Sequence, residues 1–117
     1  MRCLRGVFER LAEKALREVP RRFLDLIVDL TIEVKALPGP EAGRWKGSRN
    51  LLGLYKGLSR ADMTSPYSGT HPPARIILYQ KNIEPLCRDE AELIGQIRTT
   101  LRHELAHHFG FTDEELK

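Results

Sequence analysis

The sequence predicts a small α+β domain in which a short sheet packs on an N-terminal helix and a long C-terminal helix. Helical spacing of apolar residues occurs near both ends of the chain, and three short segments between them are rich in β-branched and apolar residues. A chain of 117 residues is long enough for one hydrophobic core and too short for a second. We therefore expect residues 1–117 to form a single domain with the element order α, β, β, β, α.

The first helix is predicted over residues 4–18, where apolar residues recur every three or four positions with charged residues between them. Pro20 ends or restarts this helix. A short helical turn is expected from Arg21 to Leu26. A strand is expected near Val28 to Val34, because the second half of this segment alternates apolar and polar residues.

Two further strands are predicted in the middle of the chain. Residues 51–56, LLGLYK, form the second strand, and Gly53 marks either a bulge or a close approach of the backbone. The stretch from Gly57 to Pro73 is rich in turn-forming residues, and a stretch of this length in a small domain is usually functional or mobile. Arg75 to Gln80, RIILYQ, is the clearest strand because it is β-branched and apolar.

The long C-terminal helix is predicted from Asp89 to Gly110. Its first residues are acidic, which suits a helix N-terminus, and glycine is the residue that most often ends a helix in the left-handed conformation. The apolar stripe of this helix comprises Leu93, Ile94, Ile97, Leu101 and Leu105. A final acidic turn from Thr112 to Leu116 would be capped by Thr112 or Asp113.

Composition argues against several classes of protein. Nineteen Lys plus Arg against 16 Asp plus Glu give a net charge of +3, but the two signs are interspersed, so nucleic-acid binding is not expected. Cys3 and Cys87 form no Cys-x-x-Cys pair, which argues against a disulfide framework and suits a reducing compartment. No apolar run reaches the roughly 18 residues of a membrane span. We expect a cytoplasmic protein with no membrane segment and no signal peptide.

The long helix contains the sequence HELAH, which is an H-E-x-x-H motif over residues 103–107. At about 100° per residue, His103 and His107 lie about 40° apart on neighbouring turns, so both imidazoles can bind one Zn²⁺. Glu104 lies about 60° from His107, where it can act as the general base toward the attacking water. The motif therefore predicts a zinc site with His103 and His107 as ligands and Glu104 as the catalytic residue.

A catalytic zinc needs a third protein ligand and an open position for water. Gly110 permits a sharp turn after the helix, and Asp113 can then fold back toward the metal. We predict Asp113 as the third ligand. The same carboxylate competes for the N-cap of the last turn, and Glu114 and Glu115 are the neighbouring alternatives.

Four other side chains are weaker candidates for the site. His108 points about 100° away from His107, which favours an exposed or packed imidazole over a ligand. His71 lies in the long central stretch and can approach the site, although a loop histidine is more often solvated. Tyr67 and Tyr79 carry hydroxyls that can stabilise an oxyanion, but each is more often a packing or surface residue.

The run HELAHHFGFTD over residues 103–113 resembles the small bacterial zincin-like metallopeptidase family. Three earlier segments share this resemblance: LLGLY at 51–55, IILYQ at 76–80 and LCR at 86–88. The resemblance implies a minimal zincin-like fold, a zinc cofactor and hydrolysis of peptide bonds. It also implies that the substrate lies extended along an edge strand above the active-site helix, here Arg75 to Gln80. Since so small a domain has little surface to grip a folded protein, we expect peptides or unfolded proteins as substrates.

Two features depart from the related metzincin pattern, in which a third histidine follows the glycine. Asp113 stands in the place of that histidine, and no methionine turn is expected after the site, because Met63 lies upstream of it. These departures leave the metal chemistry intact and put efficient proteolysis in question.

Two alternatives to a peptidase remain at this point. The first is a metal-binding interaction module without peptidase activity, in which His71 or Glu114 would be a fourth ligand and close the coordination shell. The second, an RNA- or ribosome-associated domain, is less favoured because aromatic and basic residues do not alternate on a predicted strand.

Overall fold

Helices pack against a three-stranded sheet in the computed structural model, which describes residues 1–24, 30–57 and 74–110. The elements are α1 (Arg5–Arg17), α2 (Arg21–Leu24), β1 (Leu30–Lys35), β2 (Gly53–Lys56), β3 (Ala74–Tyr79), α3 (Gln80–Ile83) and α4 (Glu90–Phe109). Two 3₁₀ helices, Pro40–Trp45 and Glu84–Leu86, lie in connections. The predicted α+β class is confirmed, and its principal elements occur in the predicted order. The end of the turn predicted from Arg21 to Leu26 lies outside the described residues, as do residues 58–73.

The sheet has the strand order β1-β3-β2, with β1 parallel and β2 antiparallel to β3. Gly53 pairs with Leu78 and Leu54 with Ile77, and the register continues without a skipped residue, so Gly53 forms no bulge. The prediction that Arg75 to Gln80 is an edge strand is wrong. Both edges of β3 are paired, which agrees with its almost continuous apolar sequence, and the described sheet has its edges at β1 and β2.

The hydrophobic core lies between one face of the sheet and the helices α1 and α4. Side chains from all three layers are buried there: Phe8, Ala12, Val34, Ile76, Leu78, Leu93, Ile97, Leu101 and Leu105. Four of these residues belong to the stripe predicted for α4, whereas Ile94 is only half-buried. Each fully buried aliphatic side chain stabilises the fold by roughly 1.5–3 kcal/mol. The stripe therefore determines the rotation of α4 about its axis, and with it the direction of every polar side chain on this helix.

Both predicted ends of α4 are confirmed. The Asp89 carboxylate accepts a hydrogen bond from the backbone N–H of Glu92 at 2.9 Å, as an N-cap residue does. Gly110 follows the last turn with φ 80°, in the left-handed region where a Cβ is unfavourable. Among the described helices, none combines the length and apolar character required to cross a membrane.

The opposite face of the sheet is anchored by Glu41, in a connection that contains a 3₁₀ helix. Its carboxylate accepts hydrogen bonds from Lys35 Nζ at 2.9 Å, Tyr79 Oη at 2.9 Å and the Gly39 N–H at 2.7 Å. Burial raises the pKa of Glu41, but these donors outweigh burial and lower the pKa to about 2.

The Tyr79 side chain is fully buried, and its hydroxyl is occupied as the donor to Glu41. Burial, followed by the bond to this carboxylate, raises the pKa of Tyr79. The tyrosine therefore stays a neutral donor at ordinary pH. Of the two roles considered for Tyr79, oxyanion donor or packing residue, the structure supports packing.

Candidate metal centre

Three side chains of α4 form a cluster that can hold a metal ion. One ligand atom from each of His103, Glu104 and His107 lies within 4.8 Å of the other two. The two imidazole rings have centroids 5.3 Å apart and planes inclined by 67°. This proximity follows from the helix, because residues four apart lie above one another on successive turns.

The three side chains differ in exposure. His103 and His107 are exposed, whereas Glu104 is only 9% exposed. Glu104 lies beside Leu101 and Leu105, which point into the core. The two imidazoles therefore face solvent, and the carboxylate reaches the cluster from its buried side.

This set of donors suits a divalent transition metal. Imidazole nitrogen and carboxylate oxygen are ligands that Zn²⁺ takes in proteins, and exposed imidazoles leave space for a further ligand and for water. The structure thus brings together three of the four residues that the sequence predicts for the site. The fourth, Asp113, lies outside the described residues. The same is true of the other side chains considered for the site, Glu114, Glu115, His71 and Tyr67, and of Met63.

A cleft of about 300 Å³ opens beside the cluster, between α4 and the segment that leads into β2. Leu51, Leu52 and Gly53 line one side, and His103 and Glu104 line the other. The cleft therefore extends from His103 and Glu104 to β2, an edge strand of the described sheet.

A second cavity of about 500 Å³ lies between α4, α2 and the end of α1. Its wall is largely apolar, with Val19, Phe23, Leu105 and Phe109 among the lining residues. His103 lines both cavities, so the two meet at the cluster. The His103 imidazole therefore borders a largely apolar cavity as well as the cleft.

His108 follows His107 directly and has different surroundings. Its side chain is fully buried, its Nδ1 lies 3.0 Å from Tyr55 Oη, and its ring packs edge-on against Tyr55 and Phe109. Of the alternatives considered for His108, the packed imidazole is confirmed. This contact connects β2 to the last turn of α4, close to the predicted ligands.

Tyr55 is not among the residues that the sequence pattern singled out. The sequence contains one indication of its position, because Tyr55 is two residues from Gly53, and residues two apart in a strand lie on the same face of the sheet. Tyr55 therefore lies on the same face as Gly53, and Gly53 faces α4.

The cysteines are not candidates for a nucleophilic site. Cys3 and Cys87 are both free, one half-buried and one buried. Burial raises the pKa of both thiols, which disfavours the reactive thiolate. Their surroundings indicate a packing role.

Comparison with known families agrees with this geometry. A family model described as zincin-like metallopeptidase matches residues 27–117, which include the three strands and the whole of α4. Comparison with curated proteins gives no match.

Proposed function

The chain belongs to the zincin-like metallopeptidase family, and from this premise we propose that it is a zinc-dependent peptidase. The observation that carries the proposal is the approach of His103, Glu104 and His107 to within 4.8 Å inside the matched region. We assign His103, His107 and Asp113 as the zinc ligands and Glu104 as the catalytic residue.

The proposed roles follow from chemistry and exposure. Bound Zn²⁺ supplies Lewis-acid chemistry, which polarises the scissile carbonyl and makes water a stronger nucleophile at neutral pH. The exposed His103 and His107 hold the ion where a peptide can reach it. The Glu104 carboxylate accepts a proton from the attacking water and returns it to the leaving amine, so the reaction consumes one water for each peptide bond broken.

The strand β2 replaces Arg75 to Gln80 as the proposed binding edge for the substrate. β3 is already paired on both sides, whereas β2 is at an edge of the described sheet and lies next to the cleft. An extended peptide can add to such an edge through backbone hydrogen bonds. The backbone of the substrate would then pass Glu104 within the cleft.

The apolar cavity beside His103 supports a preference for an apolar side chain close to the scissile bond. We propose short peptides and unfolded segments as substrates, because a domain of this size offers little surface for a folded protein. The two free cysteines support our proposal that the protein works in the cytoplasm.

The first test combines metal analysis and peptide cleavage. Elemental analysis of the purified protein should give one zinc per chain. His103→Ala should contain no zinc, and Asp113→Ala should bind zinc more weakly than the parent. A quenched-fluorescence peptide library assayed on the same samples should show cleavage that a chelator stops and added zinc restores.

The outcomes separate the candidate functions. Zinc binding without cleavage would favour an interaction module whose coordination shell is closed by a fourth protein ligand. No zinc under zinc-replete conditions would mean that the H-E-x-x-H sequence is ordinary helix surface, and the proposed function would be wrong.

A further inference from the structure

Gly53 allows strand β2 to lie unusually close to helix α4. A Cβ built on Gly53 would lie 2.9 Å from Thr100 Cγ2, 3.3 Å from Glu104 Cγ and 3.3 Å from the Ile77 carbonyl oxygen. The first distance is shorter than side chains tolerate, so a methyl group would force Thr100 or the strand to move. The backbone at this point leaves only enough space for hydrogen.

Position 53 requires glycine because it has no space for a side chain, and not because of its backbone conformation. Gly53 has no positive φ, whereas Gly43, Gly47 and Gly110 have φ values of 56°, 77° and 80°. A Cβ on Gly43 or Gly47 would meet nothing within 4 Å. These two glycines therefore permit turns, and Gly53 permits contact between two elements.

The contact involves the proposed catalytic residue. Thr100 and Glu104 are four residues apart and present their side chains to the same side of α4, where Gly53 faces both. Both are buried, with exposed fractions of 6% and 9%. The backbone of β2 thus forms a wall against the aliphatic part of Glu104 and limits where its carboxylate can lie.

We infer that Gly53 is a positioning residue for Glu104. The missing side chain lets the general base lie against β2, beside the two imidazoles and beside the strand on which we propose the peptide binds. The inference rests on the proposed function. It adds that the chemistry depends on a residue with no functional group of its own.

The test is Gly53→Ala, with Gly95→Ala as the matched control. Gly95 lies within α4, and a Cβ there would meet nothing within 4 Å. A displacement of about 1 Å can cost about 100-fold in rate. Gly53→Ala should therefore lower kcat by about 10- to 100-fold, with a smaller change in KM because Gly53 also lines the cleft, and with zinc affinity nearly unchanged. Gly95→Ala should match the parent protein in kcat, KM and zinc affinity.

A second substitution tests the cause. Thr100→Ser removes the methyl group that the new Cβ at position 53 would meet, and it keeps the hydroxyl that accepts a hydrogen bond from Gln96 Nε2 at 3.2 Å. The double variant Gly53→Ala/Thr100→Ser should regain a large part of the lost kcat. Without metal, Gly53→Ala should lower Tm by about 5 °C, and Thr100→Ser should recover part of this loss.

A spectroscopic measurement does not depend on turnover. The visible spectrum of the Co²⁺-substituted protein responds to groups around the ion. We expect it to shift in Gly53→Ala and in Glu104→Gln and to stay the same in Gly95→Ala.

Failure of this inference differs from failure of the proposed function. A parent protein that neither binds zinc nor cleaves peptides overturns both. The inference alone is wrong if the parent is active and Glu104→Gln is inactive, while Gly53→Ala keeps both the kcat and the Co²⁺ spectrum of the parent. The same holds if Thr100→Ser recovers neither kcat nor Tm in the Gly53→Ala background.

Discussion

Two glutamates on opposite faces of the sheet have side chains that are largely shielded from solvent but have contrasting surroundings. The Glu41 carboxylate accepts hydrogen bonds from three donors, namely Lys35, the Gly39 N–H and the Tyr79 hydroxyl. Glu104 lies on the helix side of the sheet, within 4.8 Å of two exposed imidazoles and in the wall of a cleft. The first carboxylate connects a loop to two strands, and the second borders a cleft.

The difference shows that burial alone does not indicate function. The hydrogen bonds to Glu41 outweigh its burial and bring its pKa to about 2, so it remains an anion that stabilises the fold. A general base must instead exchange a proton with something that arrives from solvent. Glu104 lies in the wall of a cleft, whereas the Glu41 carboxylate is held by three hydrogen bonds. Three predictions test this contrast, and a fourth tests the contact between Tyr55 and His108.

The largest expected effect is on turnover in Glu104→Gln. Removing a general base typically costs about 10²- to 10⁴-fold in rate, and the amide keeps the shape of the side chain. We expect kcat to fall by that factor while the zinc content stays at the parent value. Both quantities should be measured on the same preparation of the variant. Glu41→Gln is the matched control and should keep its kcat. Equal activity in Glu104→Gln and the parent would remove Glu104 from the mechanism.

The second prediction concerns stability in acid. The pKa of Glu41 is about 2 in the folded protein against an ordinary 4.5. The carboxylate therefore stabilises the fold fully above pH 4.5, and this contribution is lost as pH falls toward 2. Its size is up to about 3 kcal/mol, reduced because Lys35 is partly exposed. Urea unfolding at several pH values should show this loss. The free energy of unfolding should fall less steeply with decreasing pH in Glu41→Gln than in the parent.

The third prediction is the stability cost of Glu41→Gln at neutral pH. The amide loses the ion pair to Lys35 and weakens two further hydrogen bonds in a partly buried setting. We expect the free energy of unfolding to fall by about 2 kcal/mol, from denaturant titration. Zinc content should not change. A variant as stable as the parent would show that the Glu41 cluster does not anchor this face of the sheet.

The smallest effect is expected for Tyr55→Phe. The variant keeps the ring packed against His108 and removes the hydroxyl that lies 3.0 Å from its Nδ1. Loss of one such bond costs about 1 kcal/mol of unfolding free energy. Calorimetry should detect this, with one zinc per chain still bound. A loss of zinc in Tyr55→Phe would instead assign the pair a part in holding the metal.

The sequence predicted the elements whose determinants are local. The ends of α4 depend on Asp89 and Gly110, and both act on backbone groups within a few residues of themselves. The approach of His103 to His107 is likewise local, since helix geometry brings together residues four apart. Glu104 follows from the same periodicity.

The errors arose where distant segments meet. The family resemblance implies that Arg75 to Gln80 lies at a sheet edge, but β1 and β2 both pair with this strand. Local alternation cannot reveal which strand is central. The contact between Tyr55 and His108 also joins residues 53 positions apart, and neither has a local reason to meet the other.

By itself, the sequence determined the three side chains of the candidate metal centre, because one helix carries all of them at fixed angular spacing. Only the tertiary structure decided how they face the rest of the molecule. Burial of the α4 stripe turned Glu104 toward the sheet and left His103 and His107 in solvent. Packing of β2 against α4 also explains Gly53. A side chain at this position would meet the helix, and this lack of space exists only once the strand and the helix are packed together.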